Sequence, residues 1–236
     1  MSQETLTYRQ IAKMVDISAV QAPHGQPEIE ELISVAKAYG FGAVHVLPAW
    51  VAFARSLLDG TQSISLGSPV GFPSGGTHTA IKRAEAVQMV ADGVDELDMM
   101  INVGKLRSGE DDYVFDELRC VISAVNVPVK VILETHYLTN DEIQKVCAMC
   151  IDAGAKFIKT STGWAETGAT MENVALITAC TQGRIGVKAA GGIRDLDTLV
   201  AMYKLGVRRF GINTHAAVEI VRSCQQLPDG SVKVSS

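Results

Sequence analysis

Asp152-Ala-Gly-Ala-Lys156-Phe-Ile-Lys-Thr-Ser161 is the stretch on which the fold turns. A helical pattern ends at its left, Gly154 stands where a left-handed C-cap is needed, and a short strand-like run opens three residues later. The same formula recurs at Ala38-Tyr-Gly-Phe-Gly42, Ala91-Asp-Gly-Val-Asp95 and Lys204-Leu-Gly-Val-Arg208. A helix-to-strand turn repeated along a chain is the mark of serial βα units.

Working outward, eight strand candidates emerge: 14–20, 43–47, 63–70, 96–102, 128–134, 157–161, 186–189 and 209–212. Helical patterns fill the intervals at 27–39, 49–58, 77–92, 110–125, 140–153, 171–181, 195–205 and 214–224. Thr139-Asn-Asp-Glu142 is a capping-box pattern, and Thr170 and Asp195 are suitable N-caps. Eight units close into a (β/α)₈ barrel, and no G-x-G-x-x-G follows the first strand, as an open nucleotide-binding sheet would require. We expect one α/β barrel domain over residues 1–224 and a flexible tail over 225–236.

The 236 residues suit a single barrel, and 47% hydrophobic with 20% charged residues suits one large core. A net charge of −5 with scattered basic residues argues against nucleic acid as a partner. The first ten residues lack a signal-peptide core and no apolar run reaches membrane-spanning length, so no membrane partner and a cytoplasmic location are expected. Cys120, Cys147, Cys150, Cys180 and Cys224 read as reduced apolar side chains. Cys147-x-x-Cys150 lies within a helical pattern without a second ligand pair, and no metal is assigned.

Barrel chemistry belongs at the C-terminal ends of the strands, where three otherwise apolar runs carry charges that are costly to bury. These are Asp98 in the fourth strand, Lys159 in the sixth and Lys188 in the seventh. The last two are neighbours, about 4.8 Å apart across the sheet, so the two amines can meet in the mouth. A lysine with an ordinary pKa of about 10.4 is not nucleophilic at neutral pH; a nearby ammonium and burial both lower that value. One lysine can then attack a carbonyl as a Schiff base, the other tunes it, and Asp98 carries protons. A buried ion pair serving only the core is the competing reading. Lys130 and Glu134 share an inward parity and are expected to extend this charge network or form an ion pair. Glycine-rich turns follow the sixth to eighth strands at Ser161-Thr-Gly163, Gly191-Gly192-Ile-Arg194 and Gly211-Ile-Asn-Thr214, and suggest a phosphate site.

Phe157-Ile-Lys-Thr-Ser-Thr-Gly163, Gly186-Val-Lys-Ala-Ala-Gly-Gly-Ile-Arg194, Asp95-Glu-Leu-Asp-Met-Met-Ile-Asn102 and Val131-Ile-Leu-Glu-Thr135 together resemble the deoxyribose-phosphate aldolase family, from Asp16 to Thr214. The resemblance implies Lys159 as the Schiff-base lysine, Lys188 as its perturbing partner and Asp98 as the proton carrier. It implies reversible cleavage of 2-deoxy-D-ribose 5-phosphate to acetaldehyde and D-glyceraldehyde 3-phosphate with no metal or organic cofactor; a homo-oligomer, dimer or tetramer, is expected because barrels of this sort commonly associate. It also places Gly163, Gly192, Arg194 and Gly211 around the phosphate, and Asp16, Thr160, Gly191, Asn213 and Thr214 are expected to join them around the substrate. The chain departs from the family's usual pattern in Asp16-Ile-Ser-Ala-Val20, which lacks a His, and in His45-Val-Leu-Pro48, where Cys-Val-Asn-Pro is usual. It departs again in Gly211-Ile-Asn-Thr-His215, in place of Gly-Thr-Ser-Ser-Gly. His136, Trp164 and His215 can reshape the pocket or serve packing. The alternatives are a family aldolase with another sugar phosphate or aldehyde, a non-catalytic sugar-phosphate-binding barrel, and a metal-free isomerase.

Overall fold

The structure, a computed structural model, describes residues 4–61 and 63–234. Eight parallel strands close a barrel: β2 (Val15–Ala19), β3 (Ala43–Val46), β4 (Ser65–Val70), β5 (Glu96–Met100), β6 (Val129–Ile132), β7 (Phe157–Lys159), β8 (Gly186–Ala190) and β9 (Arg209–Gly211). They are joined in sequence order, and β9 returns to pair with β2. The connecting helices are α2 (Gln26–Tyr39), α3 (Val51–Leu57), α4 (Thr79–Ala91), α5 (Val103–Arg107), α6 (Asp111–Ile122), α7 (Asn140–Asp152), α8 (Met171–Thr181), α9 (Leu196–Lys204) and α10 (Thr214–Gln225). The expected barrel is therefore the observed one. Among the described residues, no helix is long and apolar enough to cross a membrane.

Alternation along each strand separates two layers. Ile17, Val44, Leu66, Leu97, Met99, Val131, Ile158, Val187 and Phe210 point outward into the helix layer and are buried there. The opposite parity brings Asp16, His45, Glu96, Asp98, Lys130 and Lys188 into the barrel, where all are also buried. An apolar shell thus encloses a charged interior.

The helix-to-strand formula works as its glycines predict. Gly40, Gly93, Gly154 and Gly206 all take positive φ, between 71° and 112°, which a side chain would strain. Where α8 ends, Gln182 also takes the left-handed conformation, at φ 50°, and Gly183 follows at φ 74°, three residues before β8, in the same place as the other four glycines. The capping box at Thr139 and Glu142 forms, and Thr170 builds a similar one with Asn173.

The ends of the chain depart from expectation. Strand β1 (Thr5–Thr7) leads into helix α1 (Tyr8–Met14), and strand β10 (Ser231–Lys233) pairs with β1 antiparallel. The segment read from composition as a flexible tail carries this strand, and Val234 N donates to Glu4 O at 2.9 Å. Two three-residue polar strands separated by the whole barrel give no local periodicity to read.

Candidate active site

Register sets the site. Asp98 lies opposite Lys130 on the next strand, and Lys159 lies opposite Lys188. Asp98 Oδ2 accepts from Lys159 Nζ at 2.8 Å and from Lys188 Nζ at 2.9 Å, so both amines crowd one oxygen. Lys188 also pairs with Asp16 at 2.6 Å, and Lys130 pairs with Glu96 at 2.6 Å and with Asp98 Oδ1 at 3.3 Å. Arg209 reaches up from the base of the barrel to Asp16 and to Glu96.

Four cations therefore share three carboxylates, and the surplus falls on the lysine with the fewest partners. Burial lowers the Lys159 pKa, and Lys188 and Lys130 lower it further against the opposing pull of Asp98. Burial acts the same way on Lys188, but Asp16, Asp98 and Glu96 outweigh it and raise that lysine above its ordinary value. Burial alone would raise the Asp98 carboxyl, yet Lys159, Lys188 and Lys130 hold it well below the usual carboxylate range. Asp16 is held down in the same manner by Lys188 and Arg209. The Lys159 side chain is 11% exposed and that of Lys188 only 1%, so the amine that loses its proton more easily is also the one within reach of solvent.

Lys159 opens into a cavity of about 260 Å³ at the C-terminal ends of the strands. One wall carries Asp16, Asp98, His45 and Lys188; the other carries Gly163, Gly191, Gly192, Arg194, Gly211 and Asn213. Gly191 and Gly192 both have positive φ, 84° and 86°, and a Cβ on Gly191 would lie 2.7 Å from Ser161 Oγ. A tight glycine turn beside an exposed arginine is suited to an anion.

Some expected residues lie elsewhere. Thr160 is buried, bonding the carbonyl and amide of Ala190 at 3.0 Å, and so ties β7 to β8 instead of facing the cavity. Thr214 and His215 line a separate hollow between α2 and α10, while the Asn213 side chain accepts from Ala216 N at 2.9 Å as the cap of α10. Glu134 does not join Lys130. Strand β6 ends at Ile132, the alternation fails, and Glu134 takes a left-handed φ of 54° to receive the amide and hydroxyl of Thr162. His136 bonds Thr167, and Trp164 stacks edge-on against Phe72 at the cavity mouth.

Sequence reasoning passed over Glu96 and Arg209. Each sits two residues before a residue already singled out, Asp98 and Gly211, so the inward parity could have found them. Among the described residues, Asp16, His45 and Glu96 bring donor atoms within 4.8 Å of one another. Their carboxylates are already paired with Lys188, Lys130 and Arg209, and a cation-rich surrounding disfavours a metal ion there. Cys147 and Cys150 are buried in α7, where burial raises both thiol pKa values and keeps them from acting as thiolates.

Residues 11–208 match the model of the DeoC/LacD family of aldolases. A deoxyribose-phosphate aldolase of Rhizobium meliloti (strain 1021) is 47% identical over 232 residues, covering 98% of this chain and 94% of that protein. Among solved structures, the aldolase QR15 superposes with a TM-score of 0.86 at 38% identity, covering 92% of this chain and 99% of that one. The tetrameric deoxyribose phosphate aldolase of Aeropyrum pernix gives 0.84 at 25% identity, with 94% of each chain covered.

Proposed function

Since the chain belongs to the DeoC/LacD family of aldolases, we propose that it reversibly cleaves 2-deoxy-D-ribose 5-phosphate to acetaldehyde and D-glyceraldehyde 3-phosphate through a Schiff base on Lys159. The observation that carries this reading is the single Asp98 oxygen shared by two amines, one buried and the other opening into the cavity. Lys159 Nζ, unprotonated, adds to the substrate aldehyde; loss of water gives the iminium. Removal of the proton from the C3 hydroxyl then lets the C2–C3 bond break, its electrons flowing into the iminium to give an enamine as the phosphorylated aldehyde leaves. Protonation of the enamine at C2 and hydrolysis release acetaldehyde and restore the amine. Asp98, or a water it binds, moves these protons, and Lys188 stays charged to keep Lys159 neutral.

Gly163, Gly191, Gly192, Arg194 and Gly211 form the phosphate end of the cavity, with Asp16 holding Lys188 and Arg209 in place. The capping bond of Asn213 and the turn of Thr214 away from the cavity favour a second reading, a relaxed demand for phosphate. A panel of phosphorylated and unphosphorylated aldehydes separates the two by their kcat/KM. The tetrameric relative supports a homo-oligomer of this chain.

Incubation with acetaldehyde and borohydride tests the central claim. Peptide mapping should find a reduced ethyl adduct on Lys159; no adduct at saturating aldehyde, or an adduct confined to other lysines, overturns it.

A further inference from the structure

His45 brings an imidazole into the charged interior. It faces inward from β3, 4% exposed, with Nε2 3.3 Å from Asp98 Oδ1 and 3.6 Å from Glu96 Oε1. The fold makes room for it: Gly67 is its register partner on β4, and a Cβ there would lie 2.3 Å from Nε2. The other ring nitrogen, Nδ1, is buried with no hydrogen-bond partner. That asymmetry fixes the tautomer. A proton on Nδ1 would be a buried unpaired donor and would leave the Nε2 lone pair facing two carboxylates; a proton on Nε2 satisfies Asp98. Burial and the nearby Lys188 oppose a second proton against the pull of Asp98, so the ring donates without adding a fifth cation.

We propose that His45 is a positioning residue: by donating Nε2–H to Asp98 Oδ1 it fixes the carboxylate plane, so that Oδ2 remains between Lys159 and Lys188 and the proton-transfer geometry is held. Lys130 Nζ stands at the same 3.3 Å from Oδ1 but makes its short contact to Glu96 at 2.6 Å, and an ammonium with three rotatable donors fixes no plane by itself, whereas the ring N–H has one direction. The inference rests on Lys159 as the Schiff-base lysine. It concerns the proton steps and not imine formation, and this separates it from a packing role.

Glutamine carries its amide nitrogen at the reach of imidazole Nε2, and asparagine at that of Nδ1. His45→Gln should therefore keep kcat within about threefold of the unsubstituted protein, whereas His45→Asn and His45→Leu lower kcat by about 10- to 100-fold with KM little changed. Exchange of solvent deuterium into the methyl group of acetaldehyde, which reads enamine protonation, should fall in parallel with kcat. Borohydride adducts on Lys159 should form in all three. Gly67→Ala keeps the histidine but places a methyl where Nε2 lies, and should reproduce the loss even if an asparagine or leucine variant does not fold. An asparagine variant that matches or exceeds the glutamine variant in kcat and exchange, or a fully active Gly67→Ala protein, overturns the proposal. Absence of the adduct in the unsubstituted protein counts against the aldolase reading instead.

Discussion

Among the described residues, two regions bury lysines, one in the helix layer and one at a cavity. Between α4 and α6, Lys82 Nζ donates to Glu117 Oε2 at 2.8 Å and to Met100 O at 2.9 Å, with both side chains inaccessible to solvent. Inside the barrel, Lys159 and Lys188 share Asp98. Burial lowers the pKa of Lys82 just as it lowers that of Lys159. A buried lysine with a depressed pKa is therefore not enough to define an active site. Lys82 has one carboxylate to itself and no opening, whereas Lys159 competes with three other cations and faces the cavity. Surplus charge and access, rather than burial, separate chemistry from structure.

Exchanging the two lysines for apolar residues should break the comparison most sharply. Lys159→Leu should lower turnover by about 10⁴-fold or more, because the proposed nucleophile is gone, with the fold retained. Lys82→Met should do the reverse: it strands Glu117 and destabilises by about 3–5 kcal/mol, while kcat per folded molecule stays within about twofold. Pairing it with Glu117→Leu should recover most of that stability. Chemical denaturation and steady-state kinetics on the same preparations read both halves. A Lys82→Met protein with a lost kcat would erase the distinction.

The distinction was half legible in the sequence. Asp98, Lys159 and Lys188 declare themselves because each interrupts an apolar strand, where a charge is costly unless it has a partner. Lys82 makes no such declaration. It lies on an amphipathic helix, where a lysine ordinarily meets water, and its partner is 35 residues away on another helix. Glu96 and Arg209 open their strands, a position at which a charge can equally face solvent. His45 needs Gly67 beside it, and that pairing belongs to the register between two strands and not to either sequence alone. Glu134 misled for the opposite reason, since its parity is correct only for a strand that continues past Ile132. The barrel was readable from repetition; contacts fixed by closure of the sheet were not.

A smaller effect sharpens the comparison from inside the barrel. Lys188 helps to lower the Lys159 pKa, and in the proposed mechanism the barrel amine must lose its proton before it can attack. Lys188→Leu removes that repulsion and leaves Asp98 to act more strongly on Lys159, so the Lys159 pKa rises. The rising limb of kcat/KM against pH should move to higher pH by about one unit. A limb that stays in place would mean that burial alone tunes the nucleophile, and that surplus charge is not what separates it from Lys82.

The smallest expected effect concerns acid, where the carboxylates of the two regions have opposite signs. Asp98 and Asp16 are held below their unfolded value of about 3.9 by the surrounding cations, against the opposing effect of burial. Their contribution to stability is present above that pH and is lost as pH falls toward their folded values. Glu117 is different: burial raises its pKa above the unfolded value of about 4.3, against the pull of Lys82 and Thr79. Between those two values the folded state binds more protons than the unfolded one, so this group adds stability as pH falls through that window. Acidification should thus relieve the helix pair before it undermines the barrel. The test is the slope of unfolding free energy against pH rather than its absolute value, since each substitution also alters packing. Between neutral pH and about pH 4.3, Glu117→Gln should remove a stabilising slope, and Asp98→Asn should leave that slope intact. Below about pH 3.9 the roles reverse, and Asp98→Asn should flatten the acid loss. If the two variants give the same slopes in both windows, the charge environments of helix layer and barrel interior are alike, and surplus cation no longer explains why one lysine works and the other only packs.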